Sequence, residues 1–321
     1  GAQSMSRISA MKIPMDYLDK VFIGHLHTDH VGDLPILWTG GLKMTRTVPL
    51  RVWGPNGETP ELGTEAAIEG LKQFLYWDDV SLMGRMDSRA IKWEVNEFDF
   101  KGVNEIVYQE NGVTVRSIPA IHSLDGSVSY ILEWNGYKVA YSSDTSPNKW
   151  WMEHTKGVDV SIHECFATPE IIIEKQNYQP EMALWLTTLA HTSPAQFGKI
   201  MAETQPRLAI GYHFYNDHDT YPWVYDGVRK TYDGPLALAT DYMVFNITRD
   251  DIKVRMAAID QEIWPLPPIR PKVTNKEEQN SYGEFPASGN VFMKETLETI
   301  WGDVNEKYGT NAQLPNMEKK K

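Results

Sequence analysis

The residues best suited to chemistry form a dense group of ligands near the start of the sequence. Directly after the apolar run Val21–Ile23, the pattern H-x-H-x-D-H is made by His25, His27, Asp29 and His30. Because residues two apart at a strand end point the same way, His25 and His27 can bind one cation. Asp29 and His30 come one turn later and can reach a second cation. Neutral imidazoles and carboxylates suit zinc, so this segment predicts a metal site.

Further residues of the ligand type each follow closely on a separate apolar run. These residues are His122, Asp144, His163-Glu164 and His213. Strand ends on one edge of a layered α/β protein converge, and functional sites are built there. Each histidine taken alone would more often be an ordinary core or surface residue. Their joint placement predicts a single metal-binding site.

The elements that must position these residues are short β-branched runs alternating with helical patterns, which predicts α/β layers. The predicted strands are Val21–Ile23, Leu50–Trp53, Val113–Ile118, Val128–Trp134, Tyr137–Tyr141, Val158–Ile162, Leu208–Tyr212 and Met243–Ile247. Asn135-Gly136 predicts a two-residue hairpin between two of them. Helices are predicted over residues 64–76 and from Thr192-Ser193-Pro194 onward.

The composition changes after residue 258, so the chain is expected to divide into a main domain, residues 1–258, and a tail, residues 259–321. The tail begins with the Pro-rich stretch WPLPPIRPK, which predicts an extended linker. An apolar stripe that starts at Met293 then predicts an amphipathic helix. This helix could pack on its own chain or form a dimer contact, so a homo-oligomer stays open.

The overall composition excludes several classes of protein. The chain has 321 residues and a net charge of −12, which argues against affinity gained mainly by neutralising phosphates. A single cysteine, Cys165, excludes an internal disulfide and a thiolate zinc cage. No run approaches the ~20 apolar residues of a membrane span, so no membrane partner is expected. The compartment stays open, because a periplasmic or secreted protein could have lost an upstream signal peptide.

The order of these motifs resembles the metallo-β-lactamase superfamily. H-x-H-x-D-H is followed by His122, by Asp144 in S-D-T and by a final His213, and the match covers about residues 20 to 250. The resemblance implies an α/β fold, the αββα sandwich, with two metals in a groove along one edge of its paired sheets. IHECF, AHTSPAQFGKIM and QPRLAIGYHF are similar more narrowly to ribonuclease Z and to related arylsulfatase-like and B3-like β-lactamase enzymes.

The resemblance also implies two zinc ions per chain and a set of ligands for each ion. The first ion would be held by His25, His27 and His122, the second by Asp29, His30 and His213, and the bridge would be Asp144. A bridging carboxylate lets two like charges sit ~3.5–4 Å apart and activate a water between them.

Catalytic roles are implied for Asp29, His191 and Glu164. His191 corresponds to the family's extra histidine, which can protonate a leaving group or stabilise developing negative charge. Glu164 would orient His191. Alternatively, His191 merely leads into the helix capped at Thr192, and Glu164 makes a structural hydrogen bond.

Residues around this set are assigned more loosely. His163 and Asp241 are candidates for groups that orient the metal ligands. Most aromatic rings are expected in the core, and Trp38, Tyr215 and Trp223 are expected to line the site. The remaining histidines are expected on the surface and are His154 and His218.

Two departures from the family bear on the substrate. Ribonucleases Z that process tRNA carry a long arm, often between the third histidine ligand and the bridging aspartate, but only 22 positions separate His122 from Asp144. HFYNDHDT also replaces the serine-and-arginine pattern that accompanies RNA phosphate binding. With the acidic charge, these features favour a small-molecule substrate and disfavour tRNA, although short RNA or a phosphodiester stays open.

The leading hypothesis is a dinuclear zinc hydrolase, specifically a B3-like β-lactamase that opens a β-lactam amide with metal-activated water and so serves antibiotic resistance. A ribonuclease Z-type phosphodiesterase, including a tRNA 3′-end endonuclease, and an aryl sulfatase are alternatives on the same metals. A non-catalytic metal-binding protein is the alternative of another class. The complete ligand set and His191 argue against it.

The H-x-H-x-D-H motif also lies early in the chain, beginning at His25. The superfamily normally begins with two or three strands before it, so we expect roughly 50–70 residues of the complete fold to precede Gly1.

Overall fold

The structure, a computed structural model, describes residues 1–44, 46–83, 85–261 and 293–313. The chain separates into two compact units, Gly1–Glu278 and Gln279–Lys321. The expected Pro-rich linker lies outside the described residues, and the domain boundary at residue 258 stays a prediction. The predicted C-terminal helix is present in the second unit. Within the described part of the chain, no helix is long and apolar enough to cross a membrane.

Strands make up the centre of the first unit. The described strands are β1 (Lys20–Phe22), β2 (Leu50–Pro55), β3 (Trp93–Phe98), β4 (Glu105–Glu110), β5 (Val113–Pro119), β6 (Val128–Trp134), β7 (Tyr137–Tyr141), β8 (Val160–Glu164), β9 (Leu208–Tyr212), β10 (Leu236–Leu238), β11 (Met243–Ile247) and β12 (Ile252–Met256).

Helices connect these strands. The described α-helices are α1 (Ser4–Ala10), α2 (Thr28–Val31), α3 (Leu34–Lys43), α4 (Thr64–Phe74), α5 (Tyr76–Leu82), α6 (Lys149–His154), α7 (Pro169–Gln176), α8 (Pro180–Trp185), α9 (Pro194–Thr204), α10 (Thr220–Arg229) and α11 (Lys294–Tyr308). Short 3₁₀ turns are formed by Met15–Tyr17 and Pro60–Leu62, and a π turn, Leu186–Ala190, follows α8 directly.

Two main sheets are formed. The smaller has the order β1-β2-β3 and is parallel, and the larger has the order β10-β9-β8-β7-β6-β5-β4. Strands β7, β8 and β9 are parallel to one another, and β5 runs the same way because β6 is antiparallel to both β5 and β7. The carboxyl ends of β5, β7, β8 and β9 therefore meet at one edge. β11 and β12 form a separate hairpin.

Apolar side chains from both sheets fill the space between them. Phe22 and Trp53 of the smaller sheet pack with Tyr108 and Tyr130 of the larger one, and the Phe22 and Trp53 rings stack 5.1 Å apart. A second cluster joins α3 and α4 to the smaller sheet, and a third joins α6, α9 and α10 to the larger sheet. Two sheets packed face to face between helices confirm the αββα sandwich.

Each predicted strand is present, and so is the hairpin. Asn135 and Gly136 have φ of 50° and 75°, as a two-residue turn of this type requires. Several predicted boundaries differ by one or two residues: β1 spans Lys20–Phe22, β2 continues to Pro55, β5 continues to Pro119 and β8 spans Val160–Glu164. The helix expected over residues 64–76 ends at Phe74, and the residue that caps α9 is Ser193 rather than Thr192. Strands β3, β4, β10 and β12 were not predicted. The expectation about residues before Gly1 stays a prediction.

Candidate metal centre

The predicted ligands come together at the edge where the carboxyl ends of the strands meet. His25 and His27 follow β1, His122 follows β5, Asp144 follows β7 and His213 follows β9. The two sheets thus supply ligands from both sides of a single groove.

The chain can bring β1 so close to β7 only because Gly24 lacks a side chain. A Cβ at Gly24 would lie 2.2 Å from the Oγ of Ser143 and 3.2 Å from the carbonyl oxygen of Val128. Ser143 and His213 both have left-handed backbone conformations, with φ of 56° and 64°. Such conformations are uncommon outside glycine and concentrate at functional sites. The strained positions here directly precede or carry a predicted ligand.

The first ligand cluster consists of His25, His27, His122 and Asp144. The Nδ1 of His27 lies 3.0 Å from the Nε2 of His25 and 3.3 Å from the Nε2 of His122. The Oδ2 of Asp144 lies 3.8 Å and 3.9 Å from the same two Nε2 atoms. Four ligand atoms therefore face one point.

The second cluster consists of Asp29, His30 and His213, and Asp144 reaches it as well. The Oδ2 of Asp29 lies 3.1 Å from the Nε2 of His30 and 3.6 Å from the Nε2 of His213. The Oδ2 of Asp144 lies 3.3 Å and 3.4 Å from those nitrogens. Asp144 is thus placed between the two clusters, as the resemblance implies for the bridging ligand.

These distances fit metal ions. Ligands 2.0–2.1 Å from a zinc ion at tetrahedral corners lie about 3.4 Å from one another, which is the middle of the spacings found in both clusters. The Oδ1 of Asp144 is buried and, among the described residues, has no hydrogen-bond partner. A buried carboxylate oxygen without a partner is costly unless a cation binds it. The donor set and its spacing therefore suit two divalent cations.

Neighbouring groups orient the histidines by holding the nitrogen that faces away from the cluster. The Nδ1 of His25 lies 3.1 Å from the Oγ of Ser143. The Nδ1 of His122 lies 2.9 Å from the carbonyl oxygen of Ala190, the last residue of the π turn, and donates to it. Both interactions leave Nε2 as the ligand atom, which is how outer groups usually fix a metal-binding imidazole.

The electrostatics of the cluster favour the protonation states that bind metals at His25, His122 and Asp144. Burial and the charge of His30 lower the pKa of His25 to about 3, and burial lowers the pKa of His122 to about 4. Burial would raise the pKa of Asp144, but His30, whose Nε2 lies 3.3 Å from its Oδ2, and the other nearby histidines hold that pKa well below its ordinary value. Neutral imidazoles at His25 and His122 and an ionised carboxylate at Asp144 are therefore the stable forms. Burial opposes the charged form of His30, but Asp144 and Asp29 raise its pKa.

His191 and Glu164 form a buried pair beside this centre. The Nδ1 of His191 lies 3.0 Å from the Oε2 of Glu164 and 3.3 Å from its Oε1, and the backbone N–H of Thr145 also donates to this carboxylate. Burial and the charge of Asp144 raise the pKa of Glu164 well above its ordinary value, and burial lowers that of His191. The Nδ1 of His191 also lies 4.0 Å from the Oδ2 of Asp144, so the pair borders the two ligand clusters.

The centre opens into a cavity of about 470 Å³. Its lining combines ligands of both clusters and His191 with the apolar side chains of Phe166, Leu186, Phe214 and Tyr215. A second cavity, of about 260 Å³, shares His27 and His122 with the first but continues past Leu62, Leu124 and the carboxylates of Glu61 and Asp125. The metal centre therefore lies in a groove that is open on two sides.

Several sequence predictions about surrounding residues are wrong. Trp38 is buried away from the centre, stacks on Trp93 with centroids 6.0 Å apart and donates to the carbonyl oxygen of Ile91. Trp223 is exposed but does not line either cavity of the centre. Asp241 pairs with Arg7 at 2.9 Å on the surface, so it cannot orient a ligand. Of the three expected aromatic residues, only Tyr215 lines the site.

The other histidines are placed as follows. His163 is fully buried, its Nδ1 donates to the carbonyl oxygen of Glu164, and its ring packs edge-on against Trp151. His163 thus hydrogen-bonds to the backbone of Glu164 and not to the side chain of a predicted metal ligand. His218 is exposed, as expected, whereas His154 is half-buried at the end of α6.

Sequence reasoning missed three groups that shape the centre: Ser143, Phe166 and the carbonyl of Ala190. The ring of Phe166 stacks on His191 with centroids 4.2 Å apart and planes 14° apart. Phe166 follows I-H-E-C directly and Ser143 precedes Asp144, so proximity to a motif was the available signal. Nothing local in the sequence marks Ala190, because a backbone carbonyl carries no residue-specific pattern.

A family model described as "Beta-lactamase superfamily domain" matches residues 2–214. The anti-Pycsar protein Apyc1 of Bacillus phage BSP38 is 29% identical over 177 residues, which cover 53% of this chain and 66% of that protein. Ribonuclease Z of Brevibacillus brevis is 26% identical over 196 residues, which cover 51% of this chain and 60% of that enzyme. Both matches span less than two thirds of the relative's length. The solved structure of human tRNase Z, short form, has a TM-score of 0.53 at 14% identity, covering 75% of this chain and 83% of that one, which is evidence for the fold alone.

Proposed function

We propose a function from the premise that this chain belongs to the β-lactamase superfamily, whose domain model spans residues 2–214. The chain is proposed to be a metal-dependent hydrolase that cleaves a phosphodiester bond, with two zinc ions as its cofactors. One observation carries the proposal: two ligand clusters share Asp144 and face the same open cavity as His191. Paired metal ions are typical of phosphatases and nucleases, which hydrolyse phosphate esters.

The relatives bear on the choice among chemistries that the ligand set leaves open. A ribonuclease breaks phosphodiester bonds, and ribonuclease Z is similar to this chain at 26% identity. This similarity favours the ribonuclease Z-type alternative over an aryl sulfatase and over the β-lactamase, which was the leading hypothesis from the sequence. A role in antibiotic resistance loses its support with the β-lactamase.

The positions of the residues assign each ligand to one of the two cations. His25, His27 and His122 would hold one cation, Asp29, His30 and His213 the other, and Asp144 would bind both. When bound, the cations would polarise the ester as Lewis acids and lower the pKa of a water molecule.

His191 is placed to act on the leaving group. Its Nδ1 is held by Glu164, and its ring is fixed against Phe166, so its Nε2 is left for the substrate. From the wall of the cavity this nitrogen can hold a proton for the departing oxygen or stabilise negative charge on the phosphoryl group. Glu164 acts as a positioning residue, since it reaches the reaction only through His191.

The charge around the centre favours a small substrate. Of the described residues that line the two cavities, none is Lys or Arg, and the second cavity carries Glu61 and Asp125. Protein contacts to nucleic-acid backbones come largely from basic side chains, which also supply most of the affinity. A substrate with a single negative charge therefore suits the groove better than tRNA does.

Parallel hydrolysis assays test this proposal. Zinc-loaded protein would be given bis(p-nitrophenyl) phosphate, p-nitrophenyl sulfate and a chromogenic β-lactam, with Asp29→Ala and His191→Ala as variants. We expect turnover of the phosphodiester above the other two, and a loss of at least about 100-fold in each variant. Preferred turnover of the β-lactam, or a rate that persists in Asp29→Ala, would overturn the assignment.

A further inference from the structure

One side of the metal-site cavity is an apolar wall made by Phe166, Leu186, Phe214 and Tyr215. The wall adjoins the reactive groups, because Phe166 stacks on His191 and lies 5.7 Å from the ring of His213. The Tyr215 ring lies 6.1 Å from Phe166 at an angle of 55° and is 41% exposed. The wall thus presents an open aromatic face a few ångströms from the point where the ligands converge.

The apolar surface continues outward from Leu186. Residues three and four positions apart lie on one face of a helix, so Met182, Trp185 and Leu189 share the face of Leu186 along α8 and the π turn. All three are exposed large apolar side chains. Ala183 and Thr187 lie on a different side of this segment and are buried, whereas Leu184 is exposed as well. A cavity rim with so much exposed apolar area is typical of a ligand-binding surface.

The second cavity of the groove has a different character. It is lined by Glu61 and Asp125, which repel anions and offer hydrogen-bond acceptors only. This cavity also has apolar side chains, Leu62 and Leu124, but none of its described lining residues is Phe, Tyr or Trp. A planar aromatic group therefore finds such a ring to stack on at the side of Tyr215 and not at the side of Asp125. The two sides of the groove next to the metal centre therefore differ chemically.

We propose that Phe166, Leu186, Phe214 and Tyr215 form a subsite for a planar aromatic group carried by the substrate. Combined with the lack of basic lining residues, this makes the substrate class a small phosphodiester that bears one aromatic substituent. Aromatic faces stack favourably on such a group, whereas an alkyl group gains only from burial of its area. The inference rests on the proposed phosphodiesterase function, but the subsite can be measured without turnover.

Isothermal titration with phosphonates tests the subsite, because a phosphonate has no ester bond to be hydrolysed. Phenylphosphonate, cyclohexylphosphonate and methylphosphonate carry the same anionic group and differ only in its substituent. We expect zinc-loaded protein to bind phenylphosphonate roughly 10-fold more tightly than methylphosphonate, with cyclohexylphosphonate between them. Equal affinity for phenyl and methyl would overturn the subsite, and cyclohexyl binding as tight as phenyl would overturn its aromatic preference.

Variants locate the effect. Tyr215→Ala should reduce the phenyl-to-methyl ratio to about 2 or less, and Tyr215→Phe should keep it, because the ring rather than the hydroxyl does the stacking. Trp223→Ala is the matched control, an exposed aromatic residue outside the cavity lining. Unchanged methylphosphonate affinity in Tyr215→Ala shows an intact metal centre. An unchanged ratio in Tyr215→Ala would overturn the inference. Diester turnover with equal phosphonate affinities would support the phosphodiesterase function and overturn only the subsite. Selective phenyl binding without diester turnover would support the subsite and overturn the phosphodiesterase function.

Discussion

Replacing Glu164 by glutamine tests whether a carboxylate positions His191. The change keeps the size of the side chain and removes its negative charge. The hydrogen bond between His191 and Glu164 is buried at both ends, and its two N···O distances are 3.0 Å and 3.3 Å. Water therefore cannot substitute for the lost interaction.

The expected size follows from the kind of bond. A hydrogen bond to a charged group contributes about 1.5–3 kcal/mol, and each 1.36 kcal/mol changes a rate about tenfold. We therefore expect Glu164→Gln to lower kcat by roughly 10- to 150-fold while KM changes little. Burial and the charge of Asp144 both raise the pKa of Glu164. The assay uses metal-loaded protein, because bound cations offset the second of these causes and so favour the ionised carboxylate that this magnitude assumes.

A double-mutant cycle separates positioning from structural damage. If Glu164 acts only through His191, the double variant Glu164→Gln/His191→Ala should be no slower than His191→Ala alone. Bound zinc per chain, measured by elemental analysis, should be the same in all four proteins. The reasoning is refuted if Glu164→Gln stays within threefold of the wild-type kcat, or if the two losses multiply in full.

Three further predictions concern stability. Gly24→Ala should lower the free energy of unfolding by about 1–3 kcal/mol in urea titrations and reduce zinc content, because its Cβ would lie 2.2 Å from the Oγ of Ser143; unchanged values would contradict the close approach of β1 and β7. Arg46→Leu should cost about 3 kcal/mol, because the buried guanidinium donates to the carbonyl oxygens of Val48, Leu37, Trp38 and Ala90; a loss under 1 kcal/mol would contradict this role. Metal-free protein should lose stability as the pH falls from about 6.5 toward 4, because the pKa values of His25 and His122 are lowered to about 3 and about 4, so the unfolded chain binds these protons first; a urea midpoint that is flat between pH 7 and 4.5 would contradict it.

The strand that precedes His213 could be predicted because it is buried along most of its length. Leu208–Tyr212 reads as a continuous apolar run, and the structure reproduces its bounds. Trp93–Phe98 and Glu105–Glu110 mix apolar residues with charged or amide ones, and much of their surface is exposed. Such strands depend on their neighbours for their conformation, which a single sequence does not display.

The ligand set was accessible because histidines and aspartates next to strand ends form a recognisable order. The lining of the cavity was not, since exposure of an aromatic ring depends on its packing. Trp38 and Tyr215 were given the same expectation, yet Trp38, a residue of α3, is buried against Trp93 while Tyr215 lines the cavity. The carbonyl of Ala190 reaches His122 only because a π turn places it there. Contacts of this kind follow from three-dimensional packing rather than from residue type.

A zinc titration tests the central claim most directly. EDTA-treated protein would receive measured equivalents of zinc, and the hydrolysis rate of bis(p-nitrophenyl) phosphate would be followed at each step. If the two clusters around Asp144 form one dinuclear hydrolytic centre, the metal-free protein is inactive and the rate reaches its plateau at two zinc ions per chain. Full activity without zinc, or a chain that binds two zinc ions and hydrolyses no phosphodiester, would contradict the claim.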